Sequence, residues 1–175
     1  MKTIINKSKK TLLGLVIGLL FLSSIVVFAK NGSTFSFANA KPAVNVVLAG
    51  TVERENAVLP LDKAEAVQPG EVLHWTISSE NKGEGAAKDY KVIGKIPAGT
   101  EFIADSAKPE GLAKVTYSLD GKNFSAQPMI EEKQADGSVK SVPAPASMYK
   151  QVRFEWENSL NPNEKLNASY DVKVK

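Results

Sequence analysis

After the first 40 residues, apolar and polar side chains alternate one by one along most of the chain, a period of two that predicts β-strands. The clearest stretch is 69–102. A Pro69-Gly70 turn opens it; Leu73, Trp75 and Ile77 then share one face, and His74, Thr76 and Ser78 share the other. Asn81-Lys82-Gly83-Glu84-Gly85 supplies turn residues that tolerate a positive φ. A second strand is predicted over 89–96, closed by Pro97-Ala98-Gly99.

The same pattern recurs on both sides. Segment 43–52 carries Val44, Val46, Val47, Leu48 and Val52, apolar enough at its start to predict burial on both faces. Segment 58–66 reads as a weaker strand, held to a sheet edge by Pro60, which cannot donate to a ladder. A short strand is expected over 101–104. Over 114–119, Val115, Tyr117 and Leu119 take one face, and Asp120-Gly121 predicts a tight hairpin toward Phe124. A second Asp-Gly pair, Asp136-Gly137, joins 129–133 to 138–142 in a polar ribbon expected to protrude near 129–142, ended by the stiff Pro143-Ala144-Pro145. Segment 149–157 places Val152, Phe154 and Trp156 opposite Arg153 and Glu155. Asn161-Pro162-Asn163-Glu164 turns the chain into a last strand, 166–174, with Leu166, Ala168, Tyr170, Val172 and Val174 on one face. No window after Ala40 has a helical period. About seven to nine closely spaced strands predict an all-β fold, and the uneven connections, with a long excursion over 125–148, favour an antiparallel β-sandwich over a barrel.

The start of the chain follows a different rule. Lys2, Lys7, Lys9 and Lys10 precede an uncharged apolar run over 11–29, and Ala38-Asn39-Ala40 fits the small-x-small cleavage pattern. Residues 1–40 read as a secretory signal peptide, with Val27-Phe28-Ala29 as a second cut site. The run is 19 residues long, close to a bilayer span, so an uncleaved anchor through 11–29 is the alternative. Residues 41–175 are then one domain. Five of the 22 basic residues and none of the 19 acidic ones lie before residue 41, so the net charge of +3 becomes −2 without the leader. Such a domain has no electrostatic reason to seek nucleic acid or anionic lipid. The chain has no cysteine. An exported domain of this size must rest on its own core, and thiol catalysis, thiolate metal sites and a lipoprotein anchor are excluded.

Several motifs resemble, in their order, the bacterial conserved-repeat domain called domain of unknown function 11. They are Pro69-Gly70-Glu71, the alternating strand with Trp75, Asn81 and Gly83, and Ile96-Pro97-Ala98-Gly99 with Phe102. They continue through Tyr117-Ser118-Leu119-Asp120-Gly121-Lys122-Asn123-Phe124, Tyr149, Val152-Arg153, Leu160 and Pro162. The resemblance covers about 43–175 and implies an immunoglobulin-like sandwich with an extracytoplasmic structural or interaction role, and no reaction. Gly94 stands where that family usually has an acid, Asn163 where it has a glycine, and Ser79 where it has an apolar residue.

Candidate chemistry is sparse. His74 is the single histidine and is expected to face outward, without the partners a metal site or a catalytic triad needs. Glu131, Glu132, Asp136, Glu155 and Glu157 lack the interleaved spacing of a calcium loop. Glu155 and Glu157, two apart on one strand, have the separation of many solvated carboxylates as well as that of a glycosidase pair. Trp75 and Trp156 fall in phase with apolar neighbours and read as core. The triplets at Asn31, Asn123 and Asn167 match a glycosylation acceptor, which a bacterial signal makes irrelevant. No catalytic, cofactor or metal residue is assigned. The expected function is that of an exported, non-catalytic structural or protein-interaction module of the bacterial cell envelope or secreted space, periplasmic or at the cell surface, whose partner is another envelope or secreted protein. Two alternatives remain. One is a carbohydrate-binding module with a platform drawn from Tyr149, Tyr170 and the tryptophans. The other is a strand-exchanging assembly subunit in which 43–52 donates or closes a strand.

Overall fold

Where the sequence alternates, the chain is extended, and every strand pairing is antiparallel. The computed structural model describes residues 40–55 and 57–175. The expected signal peptide, its Ala29 cut site and the 11–29 run lie outside the described residues. The strands are β1 (Val44–Arg54), β2 (Ala57–Pro60), β3 (Val72–Asn81), β4 (Lys91–Lys95), β5 (Thr100–Phe102), β6 (Lys108–Pro109), β7 (Ala113–Ser118), β8 (Met129–Lys133), β9 (Val139–Pro143), β10 (Gln151–Trp156) and β11 (Lys165–Val174). A 3-10 turn, Ala146–Met148, precedes β10.

One sheet has the order β2-β1-β3-β11-β5, with β6 also paired to β11; a second has the order β4-β10-β7; among the described residues β8 and β9 pair only with each other. The two larger sheets pack face to face in a sandwich-like arrangement. Val52, Leu73, Ile77, Ala168, Tyr170 and Val172 from the first sheet meet Val92, Val152, Phe154 and Trp156 from the second, with Phe102 of β5 between them. Each strand interior supplies every second residue to this layer, which is what half-burial of a pleated strand requires. Gly94 and Tyr170 show how closely the sheets approach. A Cβ at Gly94 would stand 2.9 Å from Cζ of the Tyr170 ring, and the Tyr170 hydroxyl donates to the Lys95 carbonyl at 2.7 Å. An acid at position 94 would collide with that ring.

The structure corrects five expectations. Eleven strands are present among the described residues, more than seven to nine, because a piece as short as β6 has no period to read. The start of β1 is not buried: Val46, Val47 and Leu48 are 50, 52 and 52% exposed. The three-stranded sheet is narrower than its partner and leaves Val46 and Leu48 uncovered, while Val47 lies on the opposite face. In β7 the polar residues Thr116 and Ser118 are buried, not solvated. The chain beyond β7 returns over their face: Ser125 bridges Tyr117, and Phe124 lies 4.5 Å from the guanidinium of Arg153, the β10 partner of Thr116. The Asp120-Gly121 hairpin is therefore a turn closed by one bridge, without a second strand. The segment expected as a strand over 58–66 ends at Pro60 on the sheet edge, where a residue without an N–H is tolerated.

Candidate functional site

The side chains singled out in the sequence stay apart. His74 faces outward from β3, and its Nδ1 lies 2.5 Å from Oδ1 of Asp171, the residue opposite it on β11. These two are 97 positions apart in sequence, so no local signal could have paired them. Glu155 lies 3.4 Å from Arg153, and β10 ends at Trp156, so Glu157 falls beyond the strand that was expected to align the two carboxylates. Glu131 and Glu132 stand opposite Ser141 and Lys140 on the ribbon. Asp136 accepts from the hydroxyl and the N–H of Ser138, which hold its carboxyl below its ordinary range. Asp120 is held lower still by the backbone N–H groups of Asn123 and Lys122, as the acceptor that closes its own turn. Among the described residues, no three His, Asp or Glu side chains gather into a cation-binding group.

The two tryptophans and four tyrosines lie in the core cluster or pack against it. Trp156 is buried, stacks on Tyr90 with ring centroids 5.7 Å apart, and donates from Nε1 to the Glu110 carbonyl at 2.8 Å. Tyr149 stacks on Tyr117 at 4.7 Å. Trp75 is half-buried against Gly50. Burial pushes the Tyr170 hydroxyl up to about 12. An open groove of about 570 Å³ lies beside Ile96, Pro97, Leu119, Met148 and Tyr149, and neither an acid nor a histidine lines it.

Two features stand out as surfaces. The first is the ribbon. β8 and β9 run from the pair Met129–Pro143 to the pair Lys133–Val139, and a turn with Gly137 at φ 86° closes them. The N–H of Ala144 donates to the Pro128 carbonyl at 2.9 Å at its base, and Ala144 is buried there. Beyond that base almost every ribbon residue is exposed.

The second is the outer edge of β1. Lys82 N–H donates to the Ala43 carbonyl at 2.9 Å in the β1–β3 ladder. Antiparallel pairing alternates, so the odd residues of β1 direct N–H and C=O toward β3 and the even ones direct theirs away. The Leu61 N–H donating to the Gly50 carbonyl at 2.9 Å, on the β2 side, fixes the same phase. Beyond the reach of β2, the N–H and C=O groups of Val44, Val46 and Leu48 meet no strand among the described residues.

Sequence reasoning also passed over Asn81 as a turn residue, although it is fully buried and ties three segments together. Its Oδ1 accepts from the N–H of Ala43 at 3.1 Å and of Gly83 at 3.0 Å. Its Nδ2 donates to the carbonyls of Gly85 at 2.8 Å and Leu160 at 2.9 Å. No protein family, curated protein or solved structure matches the chain.

Proposed function

We propose that this chain is an exported, non-catalytic interaction module of the bacterial cell envelope or secreted space, an immunoglobulin-like sandwich following a signal peptide over 1–40, which presents the β8–β9 ribbon to another envelope or secreted protein. The observation that carries this reading is the ribbon itself. It is a regular two-stranded sheet that contributes nothing to the core cluster, and chain that is ordered without serving the core is the usual vehicle of recognition on a rigid scaffold.

Deleting 130–142 and joining Met129 to Pro143 tests this. The thermal midpoint stays nearly unchanged, and the envelope protein captured by the intact chain is no longer captured. A large loss of stability, or capture that survives the deletion, refutes the reading. A second reading, assembly by strand addition, is favoured by the margin of β1 that meets no strand among the described residues.

A further inference from the structure

We infer that the open margin of β1 binds a second copy of this chain, β1 against β1 and antiparallel, with the two-fold axis at Val46; this rests on the strand-addition reading and names its partner. Natural sheets protect free edges with charges, prolines or bulges. The other margins here follow that rule: β4 carries Lys91 and Lys95, β7 carries Lys114, and β2 ends in Pro60. From Val44 to Ala49, β1 has no charge, no proline and no glycine, and three of its apolar side chains are about half exposed.

The segment is its own complement. With Val46 opposite Val46 of the second copy, Val44 falls opposite Leu48 and Leu48 opposite Val44. All three outward-facing residues of each copy are then satisfied together, giving six hydrogen bonds across the junction by the antiparallel rule. On the face shared with Val52, Val44, Val46 and Leu48 meet only one another. On the other face Asn45 meets Val47. Segment 44–48 carries no charge, so no like charges are opposed. The Lys41 carbonyl accepts from Gly85 N–H, so the chain before β1 stays bonded to the connection that follows β3. A closed, isologous pair results. The contact is one short pair of strands, so association is expected to be weak and to depend on concentration.

The protein recovered from cells expressing the full chain is used for the test. Val46→Cys introduces the single cysteine of the chain, at a self-opposed position where Cα atoms ~5.5 Å apart lie within disulfide range. It forms a reducible dimer at least tenfold faster than Val58→Cys, a control at a residue 66% exposed. By sedimentation the unaltered protein shows a dimer fraction that rises with concentration. Val46→Pro, which removes only an outward N–H, abolishes it while the circular-dichroism spectrum is unchanged; Val46→Lys replaces it if the proline unfolds β1. Equal crosslinking at both cysteines, or a dimer that survives Val46→Pro and Val46→Lys, overturns the pairing of β1 with β1. A monomer at all concentrations overturns the second copy alone if hydrogen exchange at Val44, Val46 and Leu48 slows only on adding envelope extract, because a foreign strand then covers the edge. Protection of those amides in the isolated monomer overturns the proposal and the strand-addition reading together, since the chain would then cover the edge itself.

Discussion

Truncating Asn81 tests whether the fold is tied where three segments meet. Asn81→Ala removes all four hydrogen bonds of a side chain with no solvent exposure. The Leu160 carbonyl keeps a donor, because Ala87 N–H also bonds to it at 2.9 Å. The N–H groups of Ala43 and Gly83 and the carbonyl of Gly85 lose the partner that Asn81 supplies. Each lost bond is worth about 1 kcal/mol net, more where a buried group is left unpaired, so the substitution costs about 3–4 kcal/mol. At roughly 3 °C per kcal/mol for a domain of this size, the thermal midpoint falls by about 10 °C. Urea unfolding followed by circular dichroism reads the same loss as a lower midpoint at an unchanged slope. Asn81→Asp supplies a second check with a sign. It puts a carboxylate oxygen against two carbonyls, so burial and repulsion raise its folded-state pKa above the unfolded value. The neutral acid is tolerated at low pH, and stability relative to the native protein falls as pH rises from about 4 toward 7. A cost below about 1 kcal/mol for Asn81→Ala would refute the reasoning, since that is the worth of one bond.

Two further outcomes follow from the contact of Gly94 with Tyr170. Gly94→Ala forces a methyl group into the Tyr170 ring and costs about 1–3 kcal/mol in urea unfolding; the cost shrinks when Tyr170→Leu is introduced beside it, and an equal cost in both backgrounds contradicts the contact. With its folded-state value near 12 and an unfolded value near 10, Tyr170 stays neutral in the folded state while the unfolded chain ionises, so stability is lost as pH rises from about 10 to 12. Tyr170→Phe flattens that loss in alkaline denaturation, and an unchanged alkaline slope contradicts it.

The strands β3, β10 and β11 are legible in the sequence because each is half buried against one layer, so alternation and burial coincide residue by residue. The left-handed φ of 63° at Asn163 follows in the same way from residue chemistry, since Asn tolerates that conformation where Gly is the usual choice. The failures share a different cause. The apolar start of β1 predicts burial, but hydrophobicity does not say whether anything lies above it, and the second sheet stops short. Thr116 and Ser118 predict a solvated face, but the cover comes from the chain after Leu119, which carries no sign of where it returns. Asn81 looks like any turn-forming asparagine, while its bonds reach Ala43 and Leu160, 38 and 79 positions away.

Alternation records which side of a strand a residue takes and is silent about which strand lies next to it. A catalytic site would leave some trace in residue types, because its chemistry demands them. A strand edge demands none, since its binding groups are the backbone N–H and C=O that every residue but proline carries. What marks the margin of β1 is the lack of the lysines and prolines that its neighbours have, and that lack acquires meaning only once the order β2-β1-β3 leaves Val44, Val46 and Leu48 facing outward. The ribbon is the converse case. Its two Asp-Gly-joined halves need only each other, so its pairing is local and readable, and it stands free of the core cluster.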